Sequence, residues 1–183
     1  TDFRVKVREN SLCPASSWSP TITVTVNWLP SQTIATSQTS CLGGVVPDLF
    51  AIGSLPTWYS DPALTTQVYQ GNYYATGQTA VGLYTYYVTE TWNGCEGLAV
   101  PVTLEIYTIP SAPTATNYVA CEGGVIPDLT ATGTSLLWYD DAALTSQVGT
   151  GASFATGQTA AGVYTYYVTQ DDGNCESNAQ MVT

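Results

Sequence analysis

Five cysteines are the most chemically capable side chains in this 183-residue sequence: Cys13, Cys41, Cys95, Cys121 and Cys175. The last four make two equivalent pairs, 41 with 95 and 121 with 175, each 54 positions apart. Matched spacing of this kind predicts two disulfides, Cys41–Cys95 and Cys121–Cys175, and with them an oxidising compartment. The alternative is buried free thiols. Zinc needs four ligands brought together, whereas each pair offers two thiolates and the chain has no histidine. Cys13 reads as the second half of a disulfide whose first half lies upstream, outside this window, or else as a free thiol.

The carboxylates come next. There are 14 acidic residues against 3 basic ones, Arg4, Lys6 and Arg8, for a formal net charge of -11. Nucleic acid and anionic membrane are therefore disfavoured as partners. No stretch is long and apolar enough to insert in a bilayer. Without histidine, and with no lysine after Lys6, no side chain is a ready general base near neutrality, and the many Ser and Thr lack an activating partner. Residue types alone leave open a paired-carboxylate glycosidase. However, Asp48, Asp61, Glu90 and Glu96 recur as Asp128, Asp141, Gln170 and Glu176. Turns explain positions shared by two copies more simply than two active sites do. The expectation is no enzyme and no cofactor.

Calcium is the one metal to weigh. Asp140-Asp141 and Asp171-Asp172 are adjacent oxygen-bearing pairs in loops. No EF-hand-like spacing accompanies them, and solvated acidic loops are the preferred reading. Two tryptophans, Trp18 and Trp92, stand out as candidate binding residues, since an exposed indole can stack on a sugar ring or pack against a protein. Trp92 is replaced by Asp172 in the second copy, so the scaffold does not require it.

The elements that carry these residues are strands, and they repeat. Cys41 to Thr103 aligns with Cys121 to Thr183 without a gap, agreeing at 36 of 63 positions, which marks a tandem duplication. The most regular segment is Gly82-Leu83-Tyr84-Thr85-Tyr86-Tyr87-Val88-Thr89, returning as Gly162 to Thr169. Tyr, Val and Thr favour strands, and the two-residue period puts Tyr84, Tyr86 and Val88 on one face. Trp58-Tyr59 and Trp138-Tyr139 sit on an earlier strand. Trp58 and Trp138 are assigned to the core, with Tyr84, Tyr86, Tyr164 and Tyr166, while Tyr59 and Tyr139 are expected on the outer face. Val100, Val102, Leu104 and Ile106 alternate along a last strand whose counterpart stops at Thr183. At the other end, Phe3, Val5 and Val7 and then Ile22, Val24 and Val26 read as two closing strands of an earlier domain.

The fold class this predicts is all-β. A Gly-x-Tyr heading a strand, with a core Trp two strands earlier, looks like the immunoglobulin-like sandwich. The expected organisation is a truncated domain over 1–29, an Ig-like domain over 31–108, and a second over 111–183 whose last strand is incomplete. A simple window on a longer chain is the preferred explanation of the ragged ends; donor-strand pairing with another chain is the alternative.

The run Pro-Asp-Leu, Trp-Tyr, Ala-Thr-Gly-Gln-Thr-Ala-x-Gly-x-Tyr-Thr-Tyr-Tyr-Val-Thr and Cys-Glu is shared by both copies. It resembles the Ig-like repeat domains of large surface and secreted proteins of Bacteroidetes, including gliding-motility-associated adhesins exported by type IX secretion. The resemblance covers 41–106 and 121–183. It implies a non-catalytic structural or adhesive module of a long extracellular protein or filament. Its partners would be other domains of the same chain, surface glycan or protein, or neighbouring copies. The alternative is an accessory module, glycan-binding or spacer, of a secreted polysaccharide-degrading enzyme.

Overall fold

The computed structural model describes residues 2–3 and 21–183. Two short strands, β1 (Asp2–Phe3) and β2 (Ile22–Thr23), pair antiparallel, with Phe3 opposite Ile22. Val24 and Val26, read with Ile22 as one face of a single strand, lie outside β2 and are exposed.

The first unit contains β3 (Ile34–Thr36), β4 (Gln38–Cys41), β5 (Leu49–Ile52), β6 (Thr57–Tyr59), β7 (Gln67–Gln70), β8 (Tyr73–Tyr74) and β9 (Gly82–Thr89). A small hairpin, β10 (Thr91–Trp92) and β11 (Cys95–Glu96), leads to β12 (Val100–Tyr107). Two sheets result, one ordered β4-β12-β9-β6-β7 and the other β3-β5-β8. Alternation decides which side chains fill the space between them. Leu49 and Ala51 point in from one sheet; Trp58, Tyr86, Val88, Val102, Leu104 and Ile106 point in from the other, and Tyr74 closes the cluster.

The second unit repeats this plan with β13 (Thr114–Ala115), β14 (Leu129–Thr132), β15 (Leu136–Tyr139), β16 (Gln147–Thr150), β17 (Ser153–Phe154), β18 (Tyr166–Gln170) and β19 (Gln180–Val182). Its sheets are ordered β16-β15-β18-β19 and β13-β14-β17. Its core gathers Leu129, Ala131, Leu136, Trp138, Tyr166, Val168 and Val182. The chain is thus all-β, with two sandwich-like sheet clusters in tandem. A third, N-terminal domain is not among the described residues.

Each indole is fully buried, yet its N–H is satisfied. Trp58 Nε1 donates to the Gly71 carbonyl and Trp138 Nε1 to the Gly151 carbonyl, both at 2.8 Å. Each acceptor glycine has a positive φ, 136° and 91°, a backbone shape that costs a residue without Cβ little. The partner strand carries one extra residue at this point: Val68 is skipped between Trp58↔Tyr69 and Tyr59↔Gln67, and Val148 likewise in the second unit.

Tyr84 and Tyr164 lie at the edge of the core, half-buried, where the sequence reading placed them inside. Their hydroxyls explain the position. Tyr84 Oη donates back to the Ala80 carbonyl at 2.9 Å, and Tyr164 to the Ala160 carbonyl at 3.2 Å. A phenol held at a strand corner by its own upstream backbone has to keep its polar end near the surface. Tyr139 departs in the opposite sense: expected on the outer face, it is buried, while Tyr59 is half-buried.

Candidate functional site

The site of most chemical interest is where the two units meet. It is built on one strand direction. The ladders of the first unit are antiparallel except one: β4 runs parallel to β12, with Cys41 opposite Tyr107. Cys41 is thereby carried to the end of the unit where β12 finishes and the chain leaves. Cys95 lies before Val100, at the other end of β12. An eight-residue strand spans about 24 Å, and a disulfide needs Cα atoms within about 7 Å.

The pairing Cys41–Cys95 is therefore corrected, and with it Cys121–Cys175. The structure joins Cys41 to Cys175, 134 positions apart, with Cα atoms 5.9 Å from each other. Cys95, half-buried, and Cys121, exposed, are free thiols. The bridge ties the strand-end of one unit to the loop between β18 and β19 of the next. The carbonyl of Asn174 sits 3.5 Å from Cys41 Sγ at the same point.

The loop presenting Cys175 is pinned from within. Asp172 Oδ1 accepts the backbone N–H groups of Asn174 and Cys175, both at 2.9 Å. Hydrogen bonds from Cys175 and then Asn174 hold the Asp172 carboxyl below the usual carboxylate range. Glu176 accepts the hydroxyls of Tyr139 and Thr169, and Glu96 those of Tyr59 and Thr89. Burial, and then the hydrogen bond from Tyr to its Glu, push Tyr59 and Tyr139 up to about 12. The glutamate after each cysteine is thus a tether that fixes the loop on the sheet. The signal for it was visible in the repeated Cys-Glu, but its partner on the Trp-Tyr strand was not.

In the first unit the corresponding loop is the hairpin β10–β11. Asn93 and Gly94 both have positive φ, 48° and 79°, the two-residue turn whose twist matches paired strands. Trp92 stands on this hairpin opposite Cys95, 57% exposed. Trp18 and Cys13 lie outside the described residues. Of the other exposed aromatics, Trp28 is 91% exposed, Tyr73 meets Phe50 with ring centroids 4.8 Å apart, and Tyr69 stacks on the buried Tyr74 at 5.5 Å.

Three of the four aspartates weighed for calcium, Asp141, Asp171 and Asp172, accept backbone N–H groups in their own turns. Asp141 accepts the N–H groups of Thr145 and Ser146, as Asp61 does those of Ala63, Thr65 and Thr66. Asp171 accepts from Gly173, and Asp140 is exposed. Among the described residues no group of three or more His, Cys, Asp or Glu is placed to hold a metal ion.

A cavity of about 380 Å³ opens in the second unit beside Leu129, Tyr164 and Tyr166. In the first unit the equivalent Leu49, Tyr84 and Tyr86 are packed by Leu104 and Ile106 of β12.

Residues 110–183 match the family model described as an Ig-like domain, CHU_C associated. An Ig-like domain stands at these positions. No curated protein matches the chain. The Tyr164 corner bond and the buried Trp138 are the marks of this sandwich class. The first unit carries both marks at Tyr84 and Trp58, on the same strand order. The Ig-like family matched is non-catalytic and is typical of surface and gliding-motility proteins of Bacteroidetes. Residues 110–183 thus carry an Ig-like domain, preceded by a second sandwich-like unit joined to it by a disulfide.

Proposed function

We propose that this module is a stretch of extracellular stalk or filament in a long bacterial surface protein, with domains at 1–29, 31–108 and 111–183. The observation that carries the reading is the Cys41–Cys175 bridge. A disulfide inside a unit protects that unit alone. One between units restricts how they bend against each other, which is what a spacer under load needs. It also belongs in an oxidising environment outside the cytoplasm. No described helix is long and apolar enough to cross a membrane, a statement that leaves β-barrels aside. The partners on this reading are the neighbouring domains of the same long chain.

The test is small-angle X-ray scattering of the chain with and without reductant. A stalk gives an elongated, narrow distribution of sizes that broadens on reduction. A distribution that is broad before reduction and unchanged after it sinks the proposal.

One observation favours a second reading, adhesion or glycan binding by an accessory module: Trp92 is exposed on a hairpin, and Asp172 takes its place in the second unit. Glycan-array binding lost in Trp92→Ala supports that reading, and an array with no binding removes it.

A further inference from the structure

Cys95 and Cys121 are left without partners by the bridge that joins Cys41 to Cys175. Their places in the repeat are informative. Cys121 is the second unit's copy of Cys41, and Cys95 is the first unit's copy of Cys175. We infer that Cys41–Cys175 is one rung of a repeating inter-unit bridge, and that Cys95 and Cys121 are half-sites of the neighbouring rungs, each taking a cysteine of a further Ig-like unit. The inference rests on the stalk reading for its repeated units, and adds how they are locked.

An independent contact supports the geometry at Cys95. Asn27 occupies the position in the preceding segment that Tyr107 occupies in the first unit, three residues before the proline shared as Pro30 and Pro110. Tyr107 is the residue opposite Cys41. Asn27 Nδ2 donates to the Asn93 carbonyl at 2.9 Å, two positions from Cys95. The hairpin bearing Cys95 therefore lies against the preceding segment, as the Cys175 loop lies against Cys41. An upstream copy of Cys41, paired beside Asn27, would face Cys95. Cys121 is exposed, and Tyr118, just before it, already donates its N–H to the Thr183 carbonyl at 2.9 Å. That contact begins the parallel pairing which, in the first unit, brings Cys41 to the unit's far end.

The chemistry is ordinary thiol–disulfide exchange. A thiolate of one half-site attacks a small disulfide such as oxidised glutathione and releases one glutathione thiol. The second half-site thiolate then attacks the mixed disulfide and releases the other. Two protein thiols become one disulfide while one oxidised glutathione becomes two reduced ones.

The test extends the whole chain in phase, adding after Thr183 one more copy of residues 104–183. The added copy carries C121S, to remove its own spare thiol, and I126V as a mass label; C13S is made throughout. After refolding in a glutathione redox buffer, cleavage at glutamate places Cys95 and Cys121 on separate peptides. The expected map links Cys121 to the labelled peptide, keeps Cys41–Cys175, and leaves Cys95 open to maleimide. Cys121 found free beside a free labelled thiol, or bonded to Cys175 of its own unit, overturns the inference. If the extended chain fails to form Cys41–Cys175, the unextended C13S chain decides. Oxidised at high concentration, it should give head-to-tail multimers in which Cys95–Cys121 links outnumber all like-with-like links several-fold, and which are lost in C121S. Links in random proportion, or none, overturn it. Scattering separates this from the stalk reading. A flexible three-unit chain with the Cys121 link in place counts against the stalk alone, and a stiff one with Cys121 free counts against the rungs alone.

Discussion

Cys41 and Cys175 lie 134 positions apart in sequence and 5.9 Å apart at their Cα atoms. The bond crosses from one folded unit to the next, so its loss should loosen the pair and leave each core in place. Cys41→Ser and Cys175→Ser are expected to lower the melting temperature of the chain, while Cys95→Ser should leave it nearly unchanged. By chain entropy alone a loop this long is worth about 5 kcal/mol, and an observed effect below that is expected because each unit has its own core. Calorimetry of the three variants checks the contrast.

The buried indoles make the second expectation. Trp58→Ala and Trp138→Ala should each cost roughly 3–5 kcal/mol, unfolding the altered unit first. Trp58→Phe keeps much of the packing but strands the Gly71 carbonyl, at a cost of about 1–3 kcal/mol. Denaturant titration followed by the remaining tryptophan fluorescence separates the two units.

Glu90 offers a stabilising change. Its Oε1 accepts the N–H groups of Ser54 and Leu55, but its Oε2 is buried with no partner. In the second unit the equivalent residue is Gln170, whose Oε1 accepts from Thr134 while Nε2 donates to the Ser111 carbonyl. Glu90→Gln should therefore raise the stability of the first unit by about 1 kcal/mol, and Gln170→Glu should lower that of the second by a similar amount. Thermal melts of both variants decide it.

Alkaline pH should unfold the chain through its tyrosines. Tyr59, Tyr74 and Tyr139 are pushed up to about 12, with burial the largest cause of each. The folded state thus holds these protons more tightly than the unfolded one. Their contribution is complete below pH 10 and is lost as pH rises from 10 through 12. Absorbance of phenolate near 295 nm should show a late-titrating group, which Glu96→Gln reduces by relieving Tyr59.

Metal removal should matter little. The oxygens of Asp141 and Asp172 already accept backbone N–H groups in their own turns. Melts in excess EDTA and in millimolar calcium should agree within about a degree or two. A large rise with calcium would show a site present only in the folded state.

Much of the fold was legible from residue types. The two-residue alternation of Val102, Leu104 and Ile106 places three side chains inward, because a strand has no other way to divide its faces. The duplication announces that whatever one copy does, the other can do. Asn93-Gly94 is a pair suited to a two-residue turn, but its hairpin emerged only with pairing. The tyrosine pair went unread because Tyr59 and Tyr139 acquire their glutamate partners across strands 37 positions away.

The cysteines mark the boundary most clearly. Their number and even spacing are properties of the sequence, and they suggested partners within each copy. Which sulfur meets which depends on strand direction. Had β4 run antiparallel to β12, Cys41 would have been carried toward the end that holds Cys95. It runs parallel, level with Tyr107, and comes within bonding distance of the next unit instead. Nothing in a list of spacings encodes that choice, because parallel and antiparallel ladders use the same backbone groups and the same alternation of faces.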